Sequence, residues 1–214
     1  MSRLLVLGAT GLVGGHLLRL ALGDARVSHV IAPVRRALPA HAEPMHSKLE
    51  APVVDFDALP DDAPWWRVDA VACALGTTIR DAGSREGFRR VDVEYVVDAA
   101  RRARAAGARS FALNSSAGAN LSSFGFYLRC KAEAEAGVAA LDYPSYTIVR
   151  PSMIGGERAR RRALEHAVVR VARAGAALIP ARYRVVEAEA IARRLLDAAM
   201  EAAPGRHVVE SEAI

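Results

Sequence analysis

Residues 3–22 read RLLVLGATGLVGGHLLRLAL. The stretch changes character at Gly8: the apolar run before it has the length of a buried strand, and residues 12–22 read as a helix. Gly8, Gly11 and Gly14 fall at GxxGxxG spacing in the turn between the two. In such a turn the first glycine permits the tight bend and the second lets the backbone approach a pyrophosphate. The third lets helix and strand pack closely. The phosphates then meet the helix N-terminus, where free N–H groups and the dipole favour negative charge.

The same alternation continues outward. Further strands are expected near 29–34, 51–55, 68–75, 109–114, 145–150 and 206–210, with helices near 84–106, 122–141, 159–175 and 187–202. This order predicts an α/β fold, a doubly wound parallel sheet of six to seven strands covered on both faces. The 214 residues show no break in composition, so 1–214 is expected to be one domain. Residues 151–214 are too few for a second unit and are expected to form a small C-terminal cap on the substrate side. Pro33 should shorten or bulge the second strand.

Bulk properties narrow the function. The net charge of +5 comes from arginines scattered along helical stretches, which reads as solvated faces rather than a nucleic-acid surface. The tightest run, ERARRR at 157–162, is the exception and could meet an anionic ligand. Cys73 and Cys130 lack paired spacing, which fits a reducing cytoplasm without disulfides or structural zinc. His41 and His46 have no clear metal partner, and no metal is expected. The apolar start, broken by glycines, His16 and Arg19, is expected to be neither a signal peptide nor a membrane span.

In a doubly wound sheet, ligands bind outside the carboxyl ends of the strands. Candidate residues accumulate on that edge. Thr10, Leu12 and Val13 accompany the three glycines; Arg35 and Arg36 follow the second strand; Asp55 and Phe56 close the third, suited to holding and covering an adenine. ALGTT at 74–78, with Ala74, Leu75 and Gly76, closes the fourth with small residues that let a cofactor pass. Where a site for NAD carries an acidic residue on the ribose, APVRRAL offers two guanidinium groups, so NADP(H) is expected over NAD(H).

FYLRCKAEAEAG, residues 126–137, holds Lys131, one of two lysines among 29 basic residues. Tyr127 lies four residues before it, so the two share a helix face. A neighbouring ammonium favours the phenolate, which makes Tyr127 a candidate general acid/base. Lysine's three donors on a compact charge can also reach two ribose hydroxyls, which a planar guanidinium cannot replace without a change of geometry. Ser115 or Ser116, at the tip of the preceding strand, could bond a substrate oxygen. Ser116 is favoured because it lies in the turn rather than in the sheet.

With these residues in view, the whole chain resembles the atypical short-chain dehydrogenase/reductases, which have a Rossmann fold. The segments CALGTTIRDAGSREGFRRVDVEY, NSSAGAN, FYLRCKAEAE and IVRPSMIGGER are similar to the Tat-interacting-protein-like group. The resemblance implies that Gly8, Gly11 and Gly14 bind the pyrophosphate, Arg35 the 2'-phosphate, Asp55 the adenine, and Leu75 and Gly76 the cofactor ribose. It implies Ser116, Tyr127 and Lys131 as the catalytic set, with Pro151 and Met153 flanking the nicotinamide. Two positions depart from the common pattern: CALG stands where classical members carry Asn-Asn-Ala-Gly, and Asp92 stands where they use a relay asparagine.

The expected activity is NADP(H)-dependent hydride transfer to or from a small carbonyl or alcohol substrate, by a monomer or homodimer with no nucleic-acid or membrane partner. The alternative is an NADPH-binding regulatory or interaction protein with little turnover.

Overall fold

Side chains along the first strand alternate between two cores. In β1 (Ser2–Leu7), Leu4 and Val6 point to one face of the sheet, and Leu5 and Leu7 to the other. A computed structural model describes residues 2–38, 47–155 and 184–214. The expected helix at 159–175, the ERARRR run, His41 and His46 lie outside the described residues.

After β1 come α1 (Leu12–Gly23), β2 (Val27–Ile31), β3 (Leu49–Glu50) and β4 (Ala70–Cys73). Next are two short helices, α2 (Ile79–Ala82) and α3 (Arg85–Arg89), then a π-helical stretch, Arg90–Glu94, which leads into α4 (Tyr95–Ala105). The order continues with β5 (Ser110–Asn114), α5 (Phe126–Ala139), β6 (Ser145–Arg150), β7 (Met153–Gly155), β8 (Val185–Glu187), α6 (Ala188–Glu201) and β9 (Gly205–Glu210).

Seven strands pair in the order β3-β2-β1-β4-β5-β6-β9, all parallel. The chain builds from β1 toward β3, then crosses to β4 on the other side of β1. The crevice at the carboxyl ends of β1 and β4 is therefore the switch point where such sheets bind ligands. Leu17, Leu18 and Ala21 of α1 and Ile191 and Leu195 of α6 cover one face. Ala99, Ala100 and Ala103 of α4 and Ala134 and Val138 of α5 cover the other, with Phe111, Tyr143 and Tyr146. Covering both faces explains why the strands read as continuous apolar runs.

Three expectations need correction. The third strand, expected over 51–55, is the two-residue β3 followed by a single Val34–Val53 bridge. Pro52 has no N–H to give, so the ladder cannot run on as a regular strand. The second strand begins earlier than expected and stops at Ile31, ahead of Pro33. The continuous helix expected over 84–106 is instead α3, the π-helical stretch and α4. Beyond β6, β7 and β8 pair in a small parallel sheet of their own.

Candidate functional site

The glycine turn is built by close approach. Gly8 has φ +81°, and a Cβ there would stand 2.6 Å from the Ala74 carbonyl oxygen; a Cβ on Gly14 would overlap the Gly8 carbonyl. The first and third glycines are thus fixed by backbone against backbone. Gly11 is the N-cap of α1, its side carries no capping side chain, and the first turn holds no acidic residue. An anion meets bare N–H groups and the positive end of the dipole there.

A cavity of about 530 Å³ runs along this edge. Its wall gathers Gly8, Thr10, Gly11, Leu12 and Val13 with Arg35, Phe56, Ala74, Leu75 and Gly76, and then Tyr127 and Lys131. Residues more than 100 apart in sequence thereby share one volume. Arg35 is exposed and has no acidic partner among the described residues, so its charge is available to a ligand. Phe56 is buried against Tyr95, ring centroids 5.5 Å apart. The Tyr95 hydroxyl donates to Asp57 at 2.7 Å, and burial together with that carboxylate pushes its pKa up to about 12.

At the other end, Tyr127 is 40% exposed, and the Lys131 ammonium lies 5.9 Å from its ring centroid. Lys131 is only 7% exposed and pairs with Asp92, itself 1% exposed, with Nζ 2.7 Å from Oδ1. The angles leave Oδ1 poorly aligned for a hydrogen bond, while Oδ2 accepts the Thr77 N–H at 2.8 Å. Burial acts to strip the proton from Lys131; the Asp92 carboxylate opposes it and prevails, leaving the lysine pKa above its ordinary value.

The two serines part company. Ser115 borders the cavity, but its hydroxyl donates to Glu135 at 2.5 Å, and Glu135 is gripped by Arg150 through Nε at 2.9 Å and Nη2 at 2.6 Å. Ser116 makes only a long contact with the Ala117 carbonyl, 3.3 Å, and stands just outside the wall. Five further expected residues also lie outside it, the first being Gly14, packed within α1 against the Gly8 carbonyl. Arg36 is exposed beyond Arg35, and the exposed Asp55 accepts the Asp57 N–H within its own turn. Pro151 is buried, its carbonyl accepting the Ala117 N–H, and Met153 is 64% exposed while its neighbour Ile154 takes the wall position.

Thr77 and Thr78 of the ALGTT stretch line the cavity too, and Asp81, Val91, Tyr95 and Asn114 do so without having been singled out from sequence. Asp92 was noted only as a departure from a pattern. Its spacing carried a signal: Phe88, Asp92 and Val96 recur every four residues and are each 1% exposed, so an acid occupies a core position. Among the described residues no group of three or more His, Cys, Asp or Glu could hold a metal ion. No helix among them is long and apolar enough to cross a membrane.

A crossover at β1 and β4, a glycine turn feeding an uncapped helix, and a cavity along that edge define a dinucleotide-binding protein of Rossmann type. The chain belongs to the NAD(P)H-binding family, whose model matches residues 8–168. Protein HTATIP2 of Rattus norvegicus is 39% identical over 158 residues, covering 73% of this chain and 64% of that protein. The mitochondrial protein FMP52 of Meyerozyma guilliermondii is 35% identical over 178 residues, 79% of this chain and 73% of its own.

Among solved structures, MoeE5 in complex with UDP-glucose and NAD superposes with a TM-score of 0.70 at 18% identity, over 96% of this chain and 74% of that one. The UDP-glucuronic acid 4-epimerase of Bacillus cereus in complex with NAD gives 0.58 at 14% identity, over 72% and 57%. These two likenesses establish the fold.

Proposed function

We propose that the protein is an NADP(H)-dependent oxidoreductase of the short-chain dehydrogenase/reductase type, acting on a small carbonyl or alcohol. The observation that carries this reading is the shared cavity: glycine turn, Arg35 and the Tyr127–Lys131 pair line one volume. The residues present fit the cofactor. Gly8 and Gly14 hold the turn tight against Ala74 and against itself, and the bare start of α1 that it feeds suits a pyrophosphate. Arg35 suits a 2'-phosphate, which gives the preference for NADP(H), and Phe56 offers an apolar cover for the adenine end.

Bound there, a nicotinamide supplies the hydride. The chain supplies the rest. Tyr127, half open to the cavity, gives or takes the proton at the substrate oxygen, with the Lys131 ammonium 5.9 Å from its ring centroid. Ser116 supplies the second contact to that oxygen. Its hydroxyl makes only a long bond to the Ala117 carbonyl, whereas that of Ser115 is spent on Glu135. The chain works as one unit: β9 completes the main sheet, α6 covers it, and β7 with Ile154, just after Pro151, borders the substrate side. Two buried free cysteines suit a reducing compartment, for which the cytoplasm is proposed, although the fungal relatives carry a mitochondrial name.

The test is NADPH-dependent turnover across a carbonyl panel. Tyr127→Phe should lower it by about 10²–10⁴-fold while NADPH still binds. Unchanged turnover in that variant would rule out the mechanism. A second reading, an NADPH-binding regulator, is favoured by one observation: the Lys131 charge is already matched by Asp92, which weakens its pull on Tyr127. Wild-type protein that binds NADPH and reduces nothing on the panel would select that reading.

A further inference from the structure

We propose that Asp92 is a positioning residue for the Tyr127–Lys131 pair: it is the buried counter-ion that keeps Lys131 charged and anchors its ammonium on the cavity wall. For its effect on turnover this rests on the oxidoreductase reading above. For its effect on the lysine it does not.

Three elements converge to build the arrangement. The π-helical stretch Arg90–Glu94 brings Asp92 into a core position in place of an apolar side chain. The loop after β4 fixes the carboxylate through the Thr77 N–H at 2.8 Å, and α5 delivers Lys131, 2.7 Å away. Gly76 completes the fit. A Cβ there would stand 3.3 Å from the Asp92 carboxylate, close enough to press on it, and 3.6 Å from the Lys131 ammonium, an ordinary contact. A π-helical insertion inside a longer helix costs hydrogen-bond geometry and is found most often at functional sites.

The counter-ion is needed because burial alone would discharge the lysine. Lysines buried without a partner titrate near or below neutrality, and a neutral amine neither favours a phenolate nor presents a full set of donors. The groups facing Lys131 are Asp92 from the π-helical stretch, Tyr127 from its own helix and Cys73 from β4. Burial pushes the Cys73 thiol up to about 12, so it stays protonated. Asp92 is the carboxylate among the three. One contact to Asp92 occupies one lysine proton and leaves the others for the cavity.

The chain's two lysines make the test direct. Protein labelled with ¹³C at lysine Cε gives two signals, and Lys131→Met assigns them. In the wild type, the Lys131 midpoint should lie above the ordinary value of about 10.4. In Asp92→Asn it should fall by about 1–3 pH units, and the alkaline limb of any kcat profile should fall with it. A wild-type midpoint below the ordinary value overturns the proposal even if the variant fails to fold, and so does an unmoved midpoint in folded Asp92→Asn. A shifted lysine without turnover in any protein supports the inference and removes the oxidoreductase reading. Turnover with an unmoved lysine does the reverse.

Discussion

Two buried carboxylates meet at α5, Glu135 within it one turn after Lys131 and Asp92 on the π-helical stretch packed against it, and they are used in opposite ways. Glu135 is closed: its Oε1 accepts from Ser115 and from Arg150 Nε, its Oε2 from Arg150 Nη2, and Arg150 reaches on to Glu210 of β9 at 3.2 Å. That fork ties α5 to the ends of β5, β6 and β9 and lies off the cavity. Asp92 is open: it meets one compact ammonium, and both partners border the cavity. A planar guanidinium saturates its acid and makes structure, whereas a point charge leaves donors to spare. In a chain that writes nearly all its basic charge as arginine, the lysine marks the pair that has work left to do.

Exchanging the cations is the sharpest way to break this contrast. Lys131→Arg should lower NADPH-dependent turnover by at least about 100-fold, since the forked head cannot occupy the same place beside Asp92 and Tyr127. Arg150→Lys should leave turnover near wild type and reduce stability in urea by about 1–3 kcal/mol, from the lost fork. Equal losses of turnover would erase the distinction.

Next in size is removal of the closed acid. Glu135→Gln leaves Arg150 with the more exposed Glu210 as its charged partner and should destabilise the fold by about 3 kcal/mol. This is the low end for a broken buried pair, because the Arg150 side chain retains 21% exposure. Urea denaturation checks it, and NADPH affinity of the folded protein should not move.

A smaller effect is expected at the far end of the cavity. Arg35→Gln should weaken NADPH binding by about tenfold through one lost charged hydrogen bond and leave NADH binding unchanged, as measured by calorimetric titration. Equal weakening of both cofactors would remove Arg35 from the 2'-phosphate role.

The smallest effect is on stability against pH. Because the folded Lys131 pKa is raised, the pair's stabilisation is fully present below the ordinary lysine value of about 10.4 and is lost as pH rises through the folded value. The phenols of Tyr143 and Tyr146, held protonated by burial, act in the same direction. Urea midpoints of the wild type should therefore fall above about pH 10. In Asp92→Asn the lysine contribution should invert. Burial alone lowers its pKa, so stability is present at high pH and lost as pH falls.

Much of this was legible in residues 3–22, because the glycine turn is dictated by contacts between backbone atoms that no other residue type tolerates. The parallel, doubly wound sheet followed from alternation, and the shared helix face of Tyr127 and Lys131 from their spacing. The break in 84–106 was not legible, since Phe88, Asp92 and Val96 keep the four-residue period straight through the π-helical stretch. Local pattern favours Ser116 for its place in the turn, yet both serines follow β5, which ends at Asn114. What distinguishes them is Glu135, twenty residues away in sequence. The third strand was overextended because an apolar run was read without the donor missing at Pro52.

The central claim is hydride exchange at the Tyr127 end of the cavity, and isotope transfer tests it most directly. Wild-type protein is incubated with NADPH deuterated at the transferring position of C4 and with the carbonyl panel, and the products are read by mass spectrometry. Deuterium in an alcohol product, lost in Tyr127→Phe, is the predicted result; bound NADPH with no label in any product contradicts it.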